Sequence, residues 1–168
     1  MKDYRASINK ALRFLVIVGI SVAVLAQFVG PAMENPSSDP TLSIRKCETI
    51  PPTLLLTLER SCFDCHSNES HWPWYSAITP LNYLIAQDIN KGRKRLNFSE
   101  WKKNKSGKIQ GWLQMIDDQV SLKEMPLPRY LYVHPGSSLS EKEIKSISQW
   151  ASEEQARLSE LASHNNDR

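Results

Sequence analysis

Residues 61–75 read SCFDCHSNESHWPWY, and the segment CFDCH at 62–66 decides what kind of domain surrounds it. Cys62 and Cys65 stand three positions apart, so on one helical turn both thiols reach the vinyl groups along one edge of a porphyrin. His66 follows at once and offers its imidazole to the iron from one side. Two thioether bonds fix the haem, so a small domain need not enclose it.

Other chemistries for the same residues stay open. Zinc needs four soft or imidazole ligands, and Cys47, His71 and His134 are the partners on offer. A thioredoxin-like pair needs a strand-to-helix junction in a βαβ setting. A Cys62–Cys65 disulfide closes too short a loop to constrain the unfolded chain much. Cys47 is left over, and nothing near it signals activation.

Outward from this cluster, the punctuation is that of a mostly α chain. Pro51 and Pro52 open TLLLTLERSC, where a proline in the first turn removes an N–H that would be unpaired anyway. Thr79 and Pro80 start a helix that places Leu81, Leu84, Ile85 and Ile89 on one face and frays over residues 93–98. Ile109, Trp112, Leu113, Ile116 and Val120 form the next apolar stripe. Ser140 and Glu143 form a capping box ahead of Ile144, Ile147, Ala151, Leu158 and Leu161. No strand-like alternation persists and no repeat is visible.

Upstream, residues 14–33 carry no charge and are nearly all apolar, long enough for a helix of roughly 30 Å, one bilayer core. Basic residues precede this stretch and none follows before Arg45, so residues 1–13 stay in the cytoplasm and the rest crosses the membrane. Val24, Leu25 and Ala26 before Gln27 resemble a small-residue cleavage site, but the apolar run continues through Phe28 and Val29, which favours an uncleaved anchor. Cys47 lies too far downstream to be a lipobox cysteine. Residues 34–40, within the Pro- and Ser-rich stretch PAMENPSSDP, are a linker. The working domain spans 41–162, and 163–168 form a disordered tail.

The composition fits this plan. Of 168 residues, 40% are hydrophobic and 23% charged, as in one ordinary globular domain. The net charge of +3 resides wholly in the first thirty residues, and the remainder is balanced, which argues against nucleic acid as a partner. Within that remainder, Lys91, Arg93, Lys94, Arg95, Lys102, Lys103, Lys105 and Lys108 face only Glu100. This stretch is suited to an acidic redox partner, to anionic lipid, or to pairing with haem propionates, and a solvated face is its ordinary reading.

The other axial position of a haem iron has Met33, Met115, Met125 and His134 as candidates, His71 being too close to His66 in sequence. Met125 stands out because KEMPLPRY is held out of a helix by Pro126 and Pro128, leaving a thioether free to face a porphyrin. Met115 lies beside an amphipathic stripe and reads as core. Trp72, Trp74 and Tyr75 follow the cluster directly and are read either as walls of the haem edge or as core aromatics.

Four blocks together carry a family resemblance: CHSNESHWPWYSAITP (65–80), GRKRLNFSEW (92–101), MPLPRY (125–130) and HPGSSLSEKEIKSISQW (134–150). They resemble the successive blocks of the bacterial haem-binding domain family, single-haem and cytochrome c-like, often carried behind one N-terminal membrane segment. The resemblance implies one covalent haem c on Cys62 and Cys65, His66 as proximal ligand and Met125 at the family's MP motif. Ser70 stands where the family pattern has a threonine, a departure that bears on the local turn. The combined expectation is a cytochrome c-like helical domain behind one transmembrane helix in a bacterial inner membrane. Its haem side faces the periplasm, and it works in electron transfer, which favours a carrier over an enzyme. The rival expectations are a five-coordinate haem sensor or peroxidase-like domain and a non-haem zinc module.

Overall fold

The N-terminal helix α1 (Lys2–Ala26) contains a 19-residue stretch, Ile8–Ala26, with mean hydropathy 1.9 and none of it buried. Its length and composition make it a candidate membrane span. The structure, a computed structural model, describes residues 2–166, with side chains from 8 to 164. The side chains of Lys2, Asp3 and Arg5 in the expected cytoplasmic segment, and Asp167 and Arg168 of the expected tail, lie outside the described residues.

Among the described residues the chain is helical and has no strand, as the sequence pattern predicts. After α1 come α2 (Pro52–Ser61), α3 (Phe63–His66), α4 (Leu81–Arg95), α5 (Ser106–Ser121), α6 (Pro128–Val133) and α7 (Glu141–Asn166), joined by short 3-10 turns. The chain divides into two compact units, Met1–Glu34 with Trp72–Asp88, and Asn35–His71 with Ile89–Arg168.

In the second unit α5 packs along α7. The expected stripe is the buried one, with Trp112, Leu113, Ile116 and Val120 meeting Ile147, Trp150, Ala151 and Leu158. The capping box forms: the Ser140 backbone N–H and hydroxyl donate to Glu143 Oε2 at 2.8 and 2.7 Å, and the Glu143 N–H donates to Ser140 Oγ at 3.3 Å. Leu161 is 49% exposed, and α7 continues through Asn166, into the expected tail.

A ladder of rings fills the centre of this unit. Phe63 stacks on Phe98 at 5.2 Å, Phe98 meets Trp101 at 6.1 Å, and Trp101 meets Trp112 and Trp150 at 5.6 and 6.2 Å. Such pairs contribute about 0.5–1.5 kcal/mol each beyond their area. The 3-10 turn Phe98–Lys103 inserts these rings and packs against the turns Pro40–Leu42 and Ile44–Lys46.

In the first unit, Thr79 stands two residues before α4, beside the end of α1. Its N–H donates to Gln27 Oε1 at 3.0 Å, and its hydroxyl donates to the Ala26 carbonyl at 3.1 Å. The facing of α4 departs from expectation: Leu81 and Leu84 are 42% and 54% exposed, while Asn82 and Ala86 are buried. Asn82 turns inward because its amide donates to Thr79 Oγ1 at 3.0 Å, a local bond that a hydrophobic stripe does not register. Farther along the helix, in the second unit, Ile89 is buried as expected.

Candidate functional site

The CFDCH segment is a junction between two helices. Cys62 closes α2, its N–H donating to the Leu58 carbonyl at 2.8 Å, and at φ −128°, ψ −31° it opens α3. The Cys62 carbonyl then accepts from the N–H groups of Cys65 and His66 at 3.2 and 3.0 Å. One turn therefore carries both thiols and the imidazole. Cys47, Cys62 and Cys65 are thiols with no disulfide among them, and Cys62 and Cys65 are half-buried. Burial pushes the Cys62 thiol up to about 12, with Cys65 acting in the same direction.

His66 is oriented from behind. Its Nδ1 lies 3.1 Å from the Leu96 carbonyl oxygen, which can only accept, so Nδ1 carries the proton and Nε2 keeps a lone pair. Burial holds the imidazole below its ordinary value against the pull of the Leu96 and Gly92 backbone, and so favours the neutral, ligating form. Phe98 meets the ring edge-on at 6.3 Å. A metal-binding histidine is positioned in this way, its second nitrogen committed to a backbone acceptor.

Gly92 lets α4 approach this turn. A Cβ there would come within 3.0 Å of the Cys65 carbonyl carbon and closer still to its oxygen. The loop after His66 is clamped by Arg93, whose Nε donates to the Ser67 carbonyl at 2.7 Å and whose Nη2 donates to Ser70 Oγ and Asn35 Oδ1 at 2.9 and 2.7 Å. Ser70 is buried and also donates to the Asp64 carbonyl, so the serine hydroxyl occupies the turn directly. Asn68 and Asn97 pair at 2.8 Å, and the Asn68 N–H donates to Ser99 Oγ at 3.0 Å, joining the CHSN and LNFSEW blocks in the core.

Met125 is half-buried at the exit of α5. There the Lys123 and Glu124 N–H groups donate to the carbonyls of Val120 and Gln119 at 3.1 and 2.9 Å, a Schellman arrangement with Lys123 at φ 57° in the left-handed region. The Met125 N–H shares the Gln119 carbonyl at 3.1 Å. Five residues on, the Tyr130 hydroxyl donates to Asp64 Oδ2 at 2.8 Å, which connects this segment to the CFDCH turn. Burial, with the Asp64 carboxylate adding to it, pushes the Tyr130 phenol well above its ordinary value.

The other candidates are placed as follows. His134 stacks on Tyr130 at 4.2 Å, with its Nδ1 3.2 Å from the Tyr130 carbonyl. The His71 side chain is 94% exposed, and its Nδ1 lies 3.2 Å from Asp64 Oδ1. Met115 packs against the core. Met33, Trp72, Trp74 and Tyr75 belong to the unit containing α1 and not to the one containing Cys62, Cys65, His66 and Met125. Cys47 also packs on the core, its Sγ 3.1 Å from Thr49 Oγ1. Among the described residues no three His, Cys, Asp or Glu side chains converge on a metal position, which leaves the zinc expectation without a ligand set. In the basic stretch, Arg93 turns inward, Lys103 pairs with Glu100 at 3.3 Å and Lys108 lies 4.9 Å above the Trp112 ring.

A family model described as a haem-binding domain matches residues 21–153. The chain belongs to that family. Comparison with curated proteins and with solved structures finds no match. The match to the haem-binding domain runs from within α1 through most of the second unit and takes in CFDCH, the Asn68–Asn97 pair and Met125. The donor set fits a haem: one turn carries two thiols and an imidazole whose Nδ1 is committed to the Leu96 carbonyl.

Proposed function

We propose that this haem-binding domain is a membrane-anchored, c-type monohaem electron carrier. Cys62 and Cys65 hold the haem covalently, His66 ligates the iron from one side and Met125 from the other. The observation that carries this reading is the hydrogen bond from His66 Nδ1 to the Leu96 carbonyl, which orients the imidazole and leaves Nε2 for iron beside two thiols. One-electron exchange between ferric and ferrous iron is the chemistry a bound haem supplies.

With His66 and Met125 both engaged, no coordination position is open to substrate, which favours a carrier over an enzyme. Thioether ligation also raises the potential. The family match supports the cofactor, and the apolar α1 behind a basic N-terminus supports an anchor with the domain on the periplasmic side. Exposed lysines of the stretch 91–108, Lys94 among them, supply the face for an acidic redox partner.

The test is a pyridine haemochrome spectrum of acid-acetone-extracted protein, matured in a c-type cytochrome system, with carbon monoxide binding measured on the wild type and Met125→Ala. Haem retained on the polypeptide and rapid carbon monoxide binding only in the variant is the expected result. Loss of haem on extraction overturns covalent attachment, and rapid binding by the wild type overturns His/Met ligation.

A further inference from the structure

Resting on the reading of α1 as a membrane span, we infer that residues 72–84 form a second membrane contact, lying in the lipid–water interface where α1 ends. Residues 72–87 carry no charged side chain, in a chain of which 23% is charged. Five large apolar residues of this segment face outward, with Trp74 80% exposed, Ile78 38%, Leu81 42%, Tyr83 48% and Leu84 54%, while Trp72 and Tyr75 are half-buried. A soluble helix turns such residues inward, whereas here Asn82 and Ala86 take the buried positions.

What covers this face follows from where it is tied. Thr79 binds the Ala26 carbonyl and the Gln27 side chain, and the Tyr83 hydroxyl donates to the Val29 carbonyl at 3.3 Å. Gly30 lies so close to Asn82 that a Cβ there would meet the Asn82 amide nitrogen at 2.7 Å. The uncharged segment is therefore fastened to the last turn of the apolar helix and the residues just beyond it, the depth at which a bilayer passes from hydrocarbon to headgroups. Tryptophan and tyrosine favour that layer because each presents an apolar ring and a polar tip. Trp74 and Tyr83 occupy it, with Leu81 and Leu84 directed at the acyl chains.

The test places p-benzoylphenylalanine at position 20, 74 or 84 of the full-length, haem-loaded chain, reconstituted in vesicles of phosphatidylethanolamine and phosphatidylglycerol. After irradiation, adducts are identified by mass spectrometry. Phospholipid adducts at all three positions, with yields at 74 and 84 comparable to that at 20, are expected. Lipid adducts at 20 alone overturn the interfacial segment and leave the anchor standing. Absence of lipid adducts at 20 overturns the anchor and the inference together. Adducts from 74 or 84 to a second copy of the chain assign the face to self-association and overturn the lipid contact. Unchanged haem content in each variant shows that the substitutions at these exposed positions preserve the fold.

Discussion

The hydroxyl of Tyr130 donates to the carboxylate of Asp64 across 66 residues of sequence, binding the turn that carries Cys62, Cys65 and His66 to the segment that follows Met125. Asp64 also accepts from the His71 backbone N–H at 3.1 Å. Hydrogen bonds to charged groups contribute about 1.5–3 kcal/mol. Tyr130→Phe is expected to lose about that much in urea unfolding. If Met125 ligates the iron, the same variant binds carbon monoxide faster than the wild type while retaining covalent haem.

Gly92→Ala forces the backbone of α4 away from Cys65, at a cost of about 1–3 kcal/mol. Gly111→Ala has nothing within 4 Å of the added methyl, lies inside α5, and is expected to stabilise by about 0.5–1 kcal/mol. Thermal melts of the two variants should therefore move in opposite directions, and only Gly92→Ala should lower the yield of haem-loaded protein.

Arg93 and Lys94 are neighbours with opposite duties. Arg93→Ala strips the bonds to Ser67 and Ser70 from the loop after His66, together with the bond to Asn35, and should cost about 2–3 kcal/mol. Lys94 is exposed, so Lys94→Ala should stay within about 0.5 kcal/mol of the wild type. If the basic face guides an acidic partner, Lys94→Ala slows association at low salt, and the difference fades as salt rises.

Glu143 is held below the ordinary 4.5 by the Ser140 backbone N–H and hydroxyl, with Arg60 adding to the effect. A carboxylate lowered on folding stabilises the fold above its unfolded value, and that contribution disappears as pH falls through the lowered folded value. Glu143→Gln should therefore be less stable than the wild type near neutrality, by about 1 kcal/mol for a weakened cap. The gap should close as the pH falls below 4.5 and through the lowered folded value, as followed by denaturant midpoints at successively more acidic pH.

Legibility in the sequence tracks the physical origin of each feature. The apolar stripes of α5 and α7 and the start of α7 are readable because apolar period and capping chemistry are local. The facing of α4 is not, because Asn82 is drawn inward by Thr79 while Leu81 and Leu84 face outward. The cysteines and His66 announce themselves by spacing. The residues that position them, Arg93, Asp64 with Tyr130, and Asn68 with Asn97, do not. Each is a polar side chain paired across more than twenty residues, and no periodicity distinguishes it from a solvated one. Their signal lies only in the resemblance blocks, where CHSN, GRKRLNFSEW and MPLPRY contain these partners, Asp64 excepted, without stating their pairing.

Thr79 grips both sides of one peptide bond, its hydroxyl on the Ala26 carbonyl and its N–H on the Gln27 side chain. That bond is the one a leader protease would cut at the small-residue site. Scission there would take away an acceptor for Thr79 and leave Gln27 as a charged chain end where an amide now runs. The residues a processing enzyme would have to engage are those that hold Thr79, so if α1 is kept as the proposed anchor these contacts persist, and the intact mass of the isolated protein is the readout.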